Sequence, residues 1–216
     1  NHRSYFDVVA LGLTVLAAGR PLRFMAKKEV FDAPVIGWLA RAMGGIMVDR
    51  GSASGSGSTS GSDSGSTSGS TSGSDSPLAQ ATQALEAGEL VAVLPQGTIP
   101  RGPAFFDPVL KAKTGAARLA RATGAPVVPV GLWGTEAVWP RSARLPRLTN
   151  LTDPPTVRTR VGRPLRFAPD SEADVVADSE RIMAAIVAQL PAQARRSTTP
   201  SAEDLAATMP PGLRGK

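Results

Sequence analysis

Apolar residues along this chain form short runs separated by turn residues, and the runs differ in whether their spacing suits a helix or a strand. The pattern predicts helices at 4–18, 33–43, 77–87, 112–123 and 171–190. It predicts strands at 22–27, 46–49, 90–95, 126–133 and 156–162. Helices and strands that follow one another in this way are typical of an α/β fold, in which helices flank a central, largely parallel or mixed sheet.

Two segments fall outside this pattern. Residues 51–76 are almost wholly Gly and Ser, a composition that cannot bury a core and that predicts a flexible coil spanning about 28 Å. The stretch is either a natural expansion in a high-GC genome or an engineered replacement of a native loop. Residues 191–216 are rich in Pro, Ala, Thr and Arg, which predicts a mobile tail. The remaining residues, 1–50 and 77–190, are expected to form a single domain.

His2 is the only histidine in 216 residues, and the chain has no cysteine. On one continuous helix, His2 and Asp7 would lie about 140° apart and could not meet. If His2 lies in the turn before a helix whose N-cap is Ser4, the Asp7 carboxylate points back and can accept from one ring nitrogen of His2. The other nitrogen can then take a proton from a substrate hydroxyl. The alternative is that Asp7 only caps the helix and His2 is an ordinary loop residue.

A second motif follows the apolar run at 90–95, which ends in proline and continues into Gln96, Gly97 and Thr98. A strand that runs into a glycine turn is where α/β proteins place ligands. Backbone N–H groups, the Thr98 hydroxyl and the nearby Arg101 guanidinium together suit a phosphate. The alternative is a tight surface turn with a solvated arginine.

Two further motifs are weaker. The short apolar strand in 44–50 ends in Arg50, which is either a second cation at the end of a strand or an ordinary surface residue. The run at 125–132 contains Val128, Pro129 and Val130, and its prolines favour an edge or irregular strand. By itself this run indicates only a place in the core.

In order, the motifs read Asn-His-x-x-x-x-Asp, Gly-x-x-x-x-Arg, Pro-Gln-Gly-Thr and Val-Pro-Val. This set resembles the four-block signature of the glycerolipid acyltransferases, typified by 1-acyl-sn-glycerol-3-phosphate acyltransferase. The resemblance covers residues 1 to about 165 apart from 51–76, and it implies the glycerol-phosphate acyltransferase fold. The wording Thr-Ile-Pro-Arg-Gly and Leu-Trp-Gly-Thr-Glu is similar to that of actinobacterial members.

The resemblance also implies roles. His2 would be the base that deprotonates the acceptor hydroxyl, and Asp7 would orient it. The residues that would hold the acceptor phosphate are Arg50, Gln96, Gly97, Thr98 and Arg101. The residues on the acyl-donor side would be Val128, Pro129 and Val130. The acceptor oxygen would attack a thioester on coenzyme A or acyl carrier protein directly, with no covalent acyl-enzyme, no metal and no cofactor other than this co-substrate.

The third block departs from the family pattern in two ways. The family has glutamate where this chain has Gln96, which keeps the hydrogen-bonding capacity of the side chain but not its charge. The family arginine lies two positions earlier than Arg101. The expected reaction is acylation of lysophosphatidic acid to phosphatidic acid. The alternatives are another lysophospholipid or glycolipid acceptor, or a relative that binds lipid but is catalytically impaired by Gln96.

Charge adds a further expectation. The net charge is +6 and the pI is near 10.5, which favours anionic partners. Arginines concentrate between 141 and 166, close to Trp133 and Trp139, with Leu132, Val138 and Leu145 nearby. This cluster would suit an acidic membrane surface, and the alternative is a solvated surface around a buried tryptophan. Nucleic acid is disfavoured because no aromatic residues interleave with the basic run.

The only long apolar stretch near the start of the chain, residues 8–18, is too short to cross a bilayer and is expected to be a buried helix. No signal peptide is visible, and the lack of cysteine leaves a location facing the cytosol open. The expected location is the cytoplasmic face of the cell membrane, either as a peripheral protein or through an anchoring segment outside this chain.

Overall fold

The structure is a computed structural model that describes residues 1–27, 32, 37, 41, 45–48, 77–147, 152–169, 174–196 and 199–211. The helix expected at 33–43 falls largely outside these residues. Arg50 and the coil expected at 51–76 fall entirely outside them.

Helices and strands alternate through most of the described chain. The α-helices are α1 Asp7–Ala17, α2 Pro77–Glu86, α3 Gly115–Thr123, α4 Thr135–Val138, α5 Val175–Ala188 and α6 Ala202–Ala207. The strands are β1 Leu22–Lys27, β2 Ile46–Val48, β3 Leu90–Ala92, β4 Val130–Trp133 and β5 Arg158–Val161. Short 3-10 helices lie at Gly102–Phe105 and Ala192–Arg195. The expectation of an α/β fold is confirmed.

The chain packs as two compact units, Leu22–Ala92 and the combination of 1–21 with 93–216. In the first unit, β1 lies between β2 and β3 and pairs with both in parallel. Helix α2 packs against β2 and β3. Leu22 and Phe24 of β1 and Ala81 of α2 are buried. The expected single domain over 1–50 and 77–190 stays a prediction.

In the second unit, β4 and β5 form an antiparallel pair, with Val130 opposite Val161 and Trp133 opposite Arg158. Helices α3 and α5 pack together, and their interface forms one apolar core. Its buried members are Ala117, Ala120, Phe167, Ile182, Met183 and Ile186. Each large apolar side chain buried there contributes about 1.5–3 kcal/mol. Among the described strands, the first unit contains parallel pairs and the second an antiparallel pair, so both of the pairing directions that a mixed sheet allows are present.

Most observed elements are shorter than predicted. The strand predicted at 126–133 begins only at Val130, because Pro126 and Pro129 cannot donate backbone hydrogen bonds to a neighbouring strand. The strand predicted at 90–95 ends at Ala92. In the part of the chain that the structure describes, no helix is both long enough and apolar enough to span a bilayer.

The segment from residue 191 onward contains regular structure that its composition does not predict. Helix α6 begins with a capping box, in which the Ser201 hydroxyl accepts the Asp204 N–H and the Asp204 carboxylate accepts the Ser201 N–H. The buried Thr208 hydroxyl then accepts the Gly102 N–H at 2.8 Å. A local cap and a long-range hydrogen bond thus give α6 contacts that apolar periodicity does not indicate, and the mobility expected for 191–216 stays a prediction.

Candidate active site

The His2 and Asp7 side chains meet at the start of α1. The His2 Nδ1 lies 2.8 Å from the Asp7 Oδ2. The contact is possible because α1 begins at Asp7, so that His2 lies in the preceding turn and not on the helix. A carboxylate only accepts hydrogen bonds, so neutral His2 carries its proton on Nδ1 and its lone pair on Nε2. That is the tautomer a general base requires.

The cap of α1 differs from the expected one. Phe6 is the N-cap of the helix and makes no side-chain capping bond. The Ser4 hydroxyl donates to the Trp139 carbonyl at 2.6 Å and accepts the Phe6 N–H at 3.0 Å. The prediction that Ser4 is the N-cap is therefore wrong, because its hydroxyl is bonded within the preceding turn and to a distant segment.

The Asp7 carboxylate is fully buried and receives four donors. Its Oδ2 accepts from His2, from the Arg3 N–H at 2.6 Å and from the Ser4 N–H at 2.8 Å. Its Oδ1 accepts from the Thr135 hydroxyl at 2.5 Å. A buried carboxylate is tolerated only when it is hydrogen-bonded in this way. The result is a rigid acceptor for the imidazole, and Thr135 is a member of the site that the sequence analysis missed.

Asn1 ties the histidine turn to β4. Its side-chain amide donates to the Leu132 carbonyl and accepts the Leu132 N–H, each at 2.8 Å. Both partners are buried. Because the two bonds run in opposite directions, the Asn1 side chain pairs with the strand as a neighbouring peptide group would. The first and fourth motifs of the sequence are thus joined directly.

Gln96 also reaches the histidine turn. Its Oε1 accepts the His2 backbone N–H at 2.6 Å, and the side chain is 9% exposed. The family resemblance implies that Gln96 belongs to a phosphate site. In the structure, its amide oxygen instead binds the main chain of His2.

The residues after Gln96 form a turn with positive φ at Gly97 (+68°), a conformation that strongly favours glycine. The Gly97 N–H donates to the Leu94 carbonyl at 2.9 Å. Thr98 and Arg101 are exposed, whereas Ile99 is 3% exposed. The position that carries the family arginine therefore faces the interior here. Arg50, the other expected phosphate ligand, lies outside the described residues.

Arg141 supports this loop from beneath. This residue is one of the arginines expected at the surface, but it is 7% exposed and its Nη1 donates to the carbonyls of Ile99 and Pro100. Burial lowers the pKa of the Arg141 guanidinium; Tyr5 opposes this change in pKa and Arg101 adds to it. The expectation of a surface role is therefore wrong for Arg141.

Arg3 is a further residue that sequence reasoning missed. Its guanidinium stacks on the rings of Phe105 at 4.2 Å and Trp133 at 4.8 Å. It also pairs with Glu136 at 2.9 Å. Cation–π contacts of this kind fix a planar guanidinium between two rings. Arg3 directly follows His2 in the sequence, and this position could have indicated a structural role for Arg3 in the same turn.

The residues expected on the acyl-donor side lie before and at the start of β4. Val128 is 46% exposed, Pro129 is buried, and Val130 is the first residue of the strand. The Pro129 carbonyl accepts the Gly162 N–H at 2.8 Å.

Within the described ranges, no three His, Cys, Asp or Glu side chains are grouped in a way that could hold a metal ion.

Comparison with known proteins shows which family this chain resembles. Residues 1–133 match the family model described as Acyltransferase. Two chloroplastic 1-acyl-sn-glycerol-3-phosphate acyltransferases, from Brassica napus and Arabidopsis thaliana, are 27% and 26% identical to this chain over 181 residues. That alignment covers 84% of this chain but 43% and 41% of the plant proteins. The chain thus spans less than half the length of these curated relatives.

A solved structure has the same fold. The 1-acyl-sn-glycerophosphate acyltransferase of Thermotoga maritima superposes with a TM-score of 0.52 at 20% identity, over 87% of this chain and 61% of the other. At this identity the likeness concerns the fold, whereas the family match covers more than half of the 216 residues. The chain therefore belongs to the acyltransferase family.

Proposed function

We propose that this protein transfers a fatty acyl group from an acyl thioester to the free hydroxyl of lysophosphatidic acid, which yields phosphatidic acid. The observation that carries the proposal is the 2.8 Å contact between His2 Nδ1 and the buried Asp7 carboxylate. This contact places the lone pair of neutral His2 on Nε2, where a general base needs it. The names of the plant and Thermotoga relatives supply the substrate class.

In the proposed reaction, His2 Nε2 accepts the proton of the acceptor hydroxyl as its oxygen attacks the thioester carbonyl carbon. The tetrahedral intermediate collapses and breaks the carbon–sulfur bond. The leaving thiolate then takes the proton from the imidazolium, which regenerates neutral His2. Asp7 stabilises the transient imidazolium through Nδ1, and no acyl-enzyme forms. The co-substrate is acyl-coenzyme A or acyl carrier protein, with Val128, Pro129 and Val130 on the donor side.

Recognition of the acceptor phosphate would require cations near the turn formed by residues 95–98, the glycine turn. Arg101 and Thr98 are exposed beside this turn and are available for a phosphate group. Gln96 would serve the base more than the phosphate, because its amide oxygen is bonded to the His2 N–H. Arg50 keeps its proposed role as a phosphate ligand on the strength of the sequence resemblance alone.

The proposed location is the cytoplasmic face of a membrane that contains acidic phospholipid. Support comes from exposed arginines after β4, namely Arg144, Arg147, Arg158, Arg160, Arg163 and Arg166. Leu145 is 74% exposed beside them. Leu132 and Val138 are buried, so the expected contribution of these two residues to an interface is wrong. Charge would therefore dominate the contact, and binding to phosphatidylglycerol vesicles should weaken with added salt.

A direct assay tests the function. The chain is mixed with acyl-coenzyme A or acyl carrier protein thioester and lysophosphatidic acid, and phosphatidic acid and free thiol are measured together. The proposal requires both products in equal amounts and their loss in the His2→Ala variant. Thiol release without phosphatidic acid would indicate hydrolysis, and binding of lysophosphatidic acid without product would indicate an impaired lipid-binding relative.

One observation favours an acceptor other than lysophosphatidic acid. Ile99 is buried where the family carries an arginine, so the phosphate contacts of this chain differ from those of its relatives. Another lysophospholipid or a glycolipid would then be the acceptor. Parallel assays with lysophosphatidic acid, lysophosphatidylglycerol and a glycolipid at equal concentration distinguish these cases by kcat/KM.

A further inference from the structure

We propose that the Lys113 ammonium binds the phosphate monoester of the acceptor at the glycine turn, defined as residues 95–98. This inference rests on the proposed function, because it concerns the acceptor of the same reaction. Lys113 lies outside the four sequence motifs, and sequence spacing gives no reason to place it beside the third motif. The structure brings it there.

The Lys113 side chain lies across Gly97. A Cβ atom built on Gly97 would lie 3.1 Å from Lys113 Cδ and Cε and 3.3 Å from Nζ. The ammonium is thus at the turn itself, while the residue as a whole is exposed. A side chain larger than glycine at position 97 would push the lysine away and would also be strained at a φ of +68°. Glycine therefore serves two purposes here: it makes the turn and it admits the lysine stem.

The backbone fixes this approach. The Lys113 N–H donates to the Pro95 carbonyl at 2.8 Å, so the segment before α3 is attached to the start of the glycine turn. Gln96, the next residue of the turn, holds the His2 N–H. The backbones of Lys113 and His2, the proposed general base, are therefore both hydrogen-bonded to one short segment of chain, Pro95 and Gln96.

The charge at this position has no described acid to neutralise it. Among the residues that the structure describes, no carboxylate forms an ion pair with Lys113. The family arginine at the adjacent position is replaced by buried Ile99. Lys113 supplies a cation that this replacement removes, and an ammonium is a well-suited point charge for a phosphate monoester.

The test uses Lys113→Met, which keeps most of the apolar stem over Gly97 and removes the charge. Lys113→Arg restores a cation, and Lys111→Met is the matched control because Lys111 is exposed two residues away. Initial rates are measured with lysophosphatidic acid and with uncharged monoacylglycerol, each at saturating acyl-coenzyme A. Inhibition by inorganic phosphate and by glycerol 3-phosphate is measured in parallel.

For Lys113→Met we expect KM for lysophosphatidic acid to rise at least about tenfold, as loss of a charge-assisted hydrogen bond predicts. We expect kcat, and all constants for monoacylglycerol, to change little. Lys113→Arg should recover most of the affinity, and Lys111→Met should behave as the parent chain does. Glycerol 3-phosphate should inhibit the parent chain more strongly than Lys113→Met. If inorganic phosphate inhibits the parent chain as strongly as glycerol 3-phosphate does, the site recognises the phosphate alone. If inorganic phosphate inhibits less strongly, the site also recognises the glycerol.

Two results would overturn the assignment. One is an unchanged KM for lysophosphatidic acid in Lys113→Met. The other is a rise in KM for acyl-coenzyme A instead, since that co-substrate also carries phosphates. If the parent chain acylates neither acceptor, the proposed function fails, and calorimetric binding of lysophosphatidic acid decides the role of Lys113 independently. Equal binding by the parent chain and Lys113→Met, or binding by neither, would then reject it.

Discussion

The Gln96 amide oxygen accepts the His2 backbone N–H at 2.6 Å. The third motif therefore contacts the first through the main chain of His2, the proposed general base. Substitution of glutamine for the family glutamate preserves an oxygen acceptor at this position. What the substitution removes is the negative charge behind that bond.

We expect Gln96→Glu to raise turnover about tenfold or more, because a charge-assisted hydrogen bond is roughly twice as strong as a neutral one and holds His2 more firmly. The KM for the acceptor should change much less, since the side chain contacts the base. Both constants are obtained from initial rates at saturating thioester.

The matched variant is Gln96→Met, which removes the acceptor oxygen at similar volume. It leaves the partly buried His2 N–H without its partner, an effect of about 1 kcal/mol or more, and should slow turnover. If Gln96→Glu is no faster than the parent chain, glutamine is a fully competent residue at this site. If Gln96→Met is as fast as the parent chain, the bond has no catalytic importance.

His2→Ala should lower turnover by about 10²- to 10⁴-fold, because no other imidazole in the chain can act as the base. The fold should persist, since the Asp7 carboxylate keeps three other donors. Turnover and Tm measured on the same preparation separate the two effects. Unchanged turnover would rule out the proposed mechanism.

Thr135→Val should destabilise the protein by about 1–3 kcal/mol, because it leaves one oxygen of the buried Asp7 carboxylate without its donor. Thr135→Ser keeps the hydroxyl and should retain most of the stability. Urea unfolding measures the difference. Equal stability of the valine and serine variants would show that the hydroxyl contributes nothing to holding Asp7.

Asp7→Asn should lower both turnover and stability. The asparagine amide has only one oxygen that can accept hydrogen bonds. Its NH2 group replaces the other oxygen and would face a donor that it cannot accept from. The imidazole would then lose the partner that sets its tautomer. Turnover should fall further than in Thr135→Val, because that variant keeps the contact between Asp7 Oδ2 and His2. A rate loss no larger than that of Thr135→Val would contradict the orienting role.

Arg141→Met should destabilise the protein by about 1–3 kcal/mol, because the carbonyls of Ile99 and Pro100 lose their buried donor. The control is Arg144→Met, which removes an exposed arginine three residues later and should leave the free energy of unfolding unchanged. Denaturant titrations of the two variants provide the comparison. Equal stability would mean that Arg141 does not support the loop.

The sequence by itself determined the parts of this protein that depend on local chemistry. Apolar periodicity located α1, α2 and α5 and the strands β1 and β2 to within a few residues. A single histidine and its spacing to Asp7 selected the candidate base, because a turn before a helix is the local geometry in which the two side chains can meet. The ordered motifs indicated the family.

Tertiary structure decided every contact that joins distant segments. Periodicity does not specify partners, so it did not indicate that Thr135 would supply a hydrogen bond to Asp7, or that Arg141 would turn inward to the loop at Ile99. The sequence predicted a largely parallel or mixed sheet, but it did not indicate which strands pair antiparallel, since an apolar run reads the same in either direction. Lys113 lies beside Gly97 because the chain folds back between them, and no spacing along the sequence encodes that proximity.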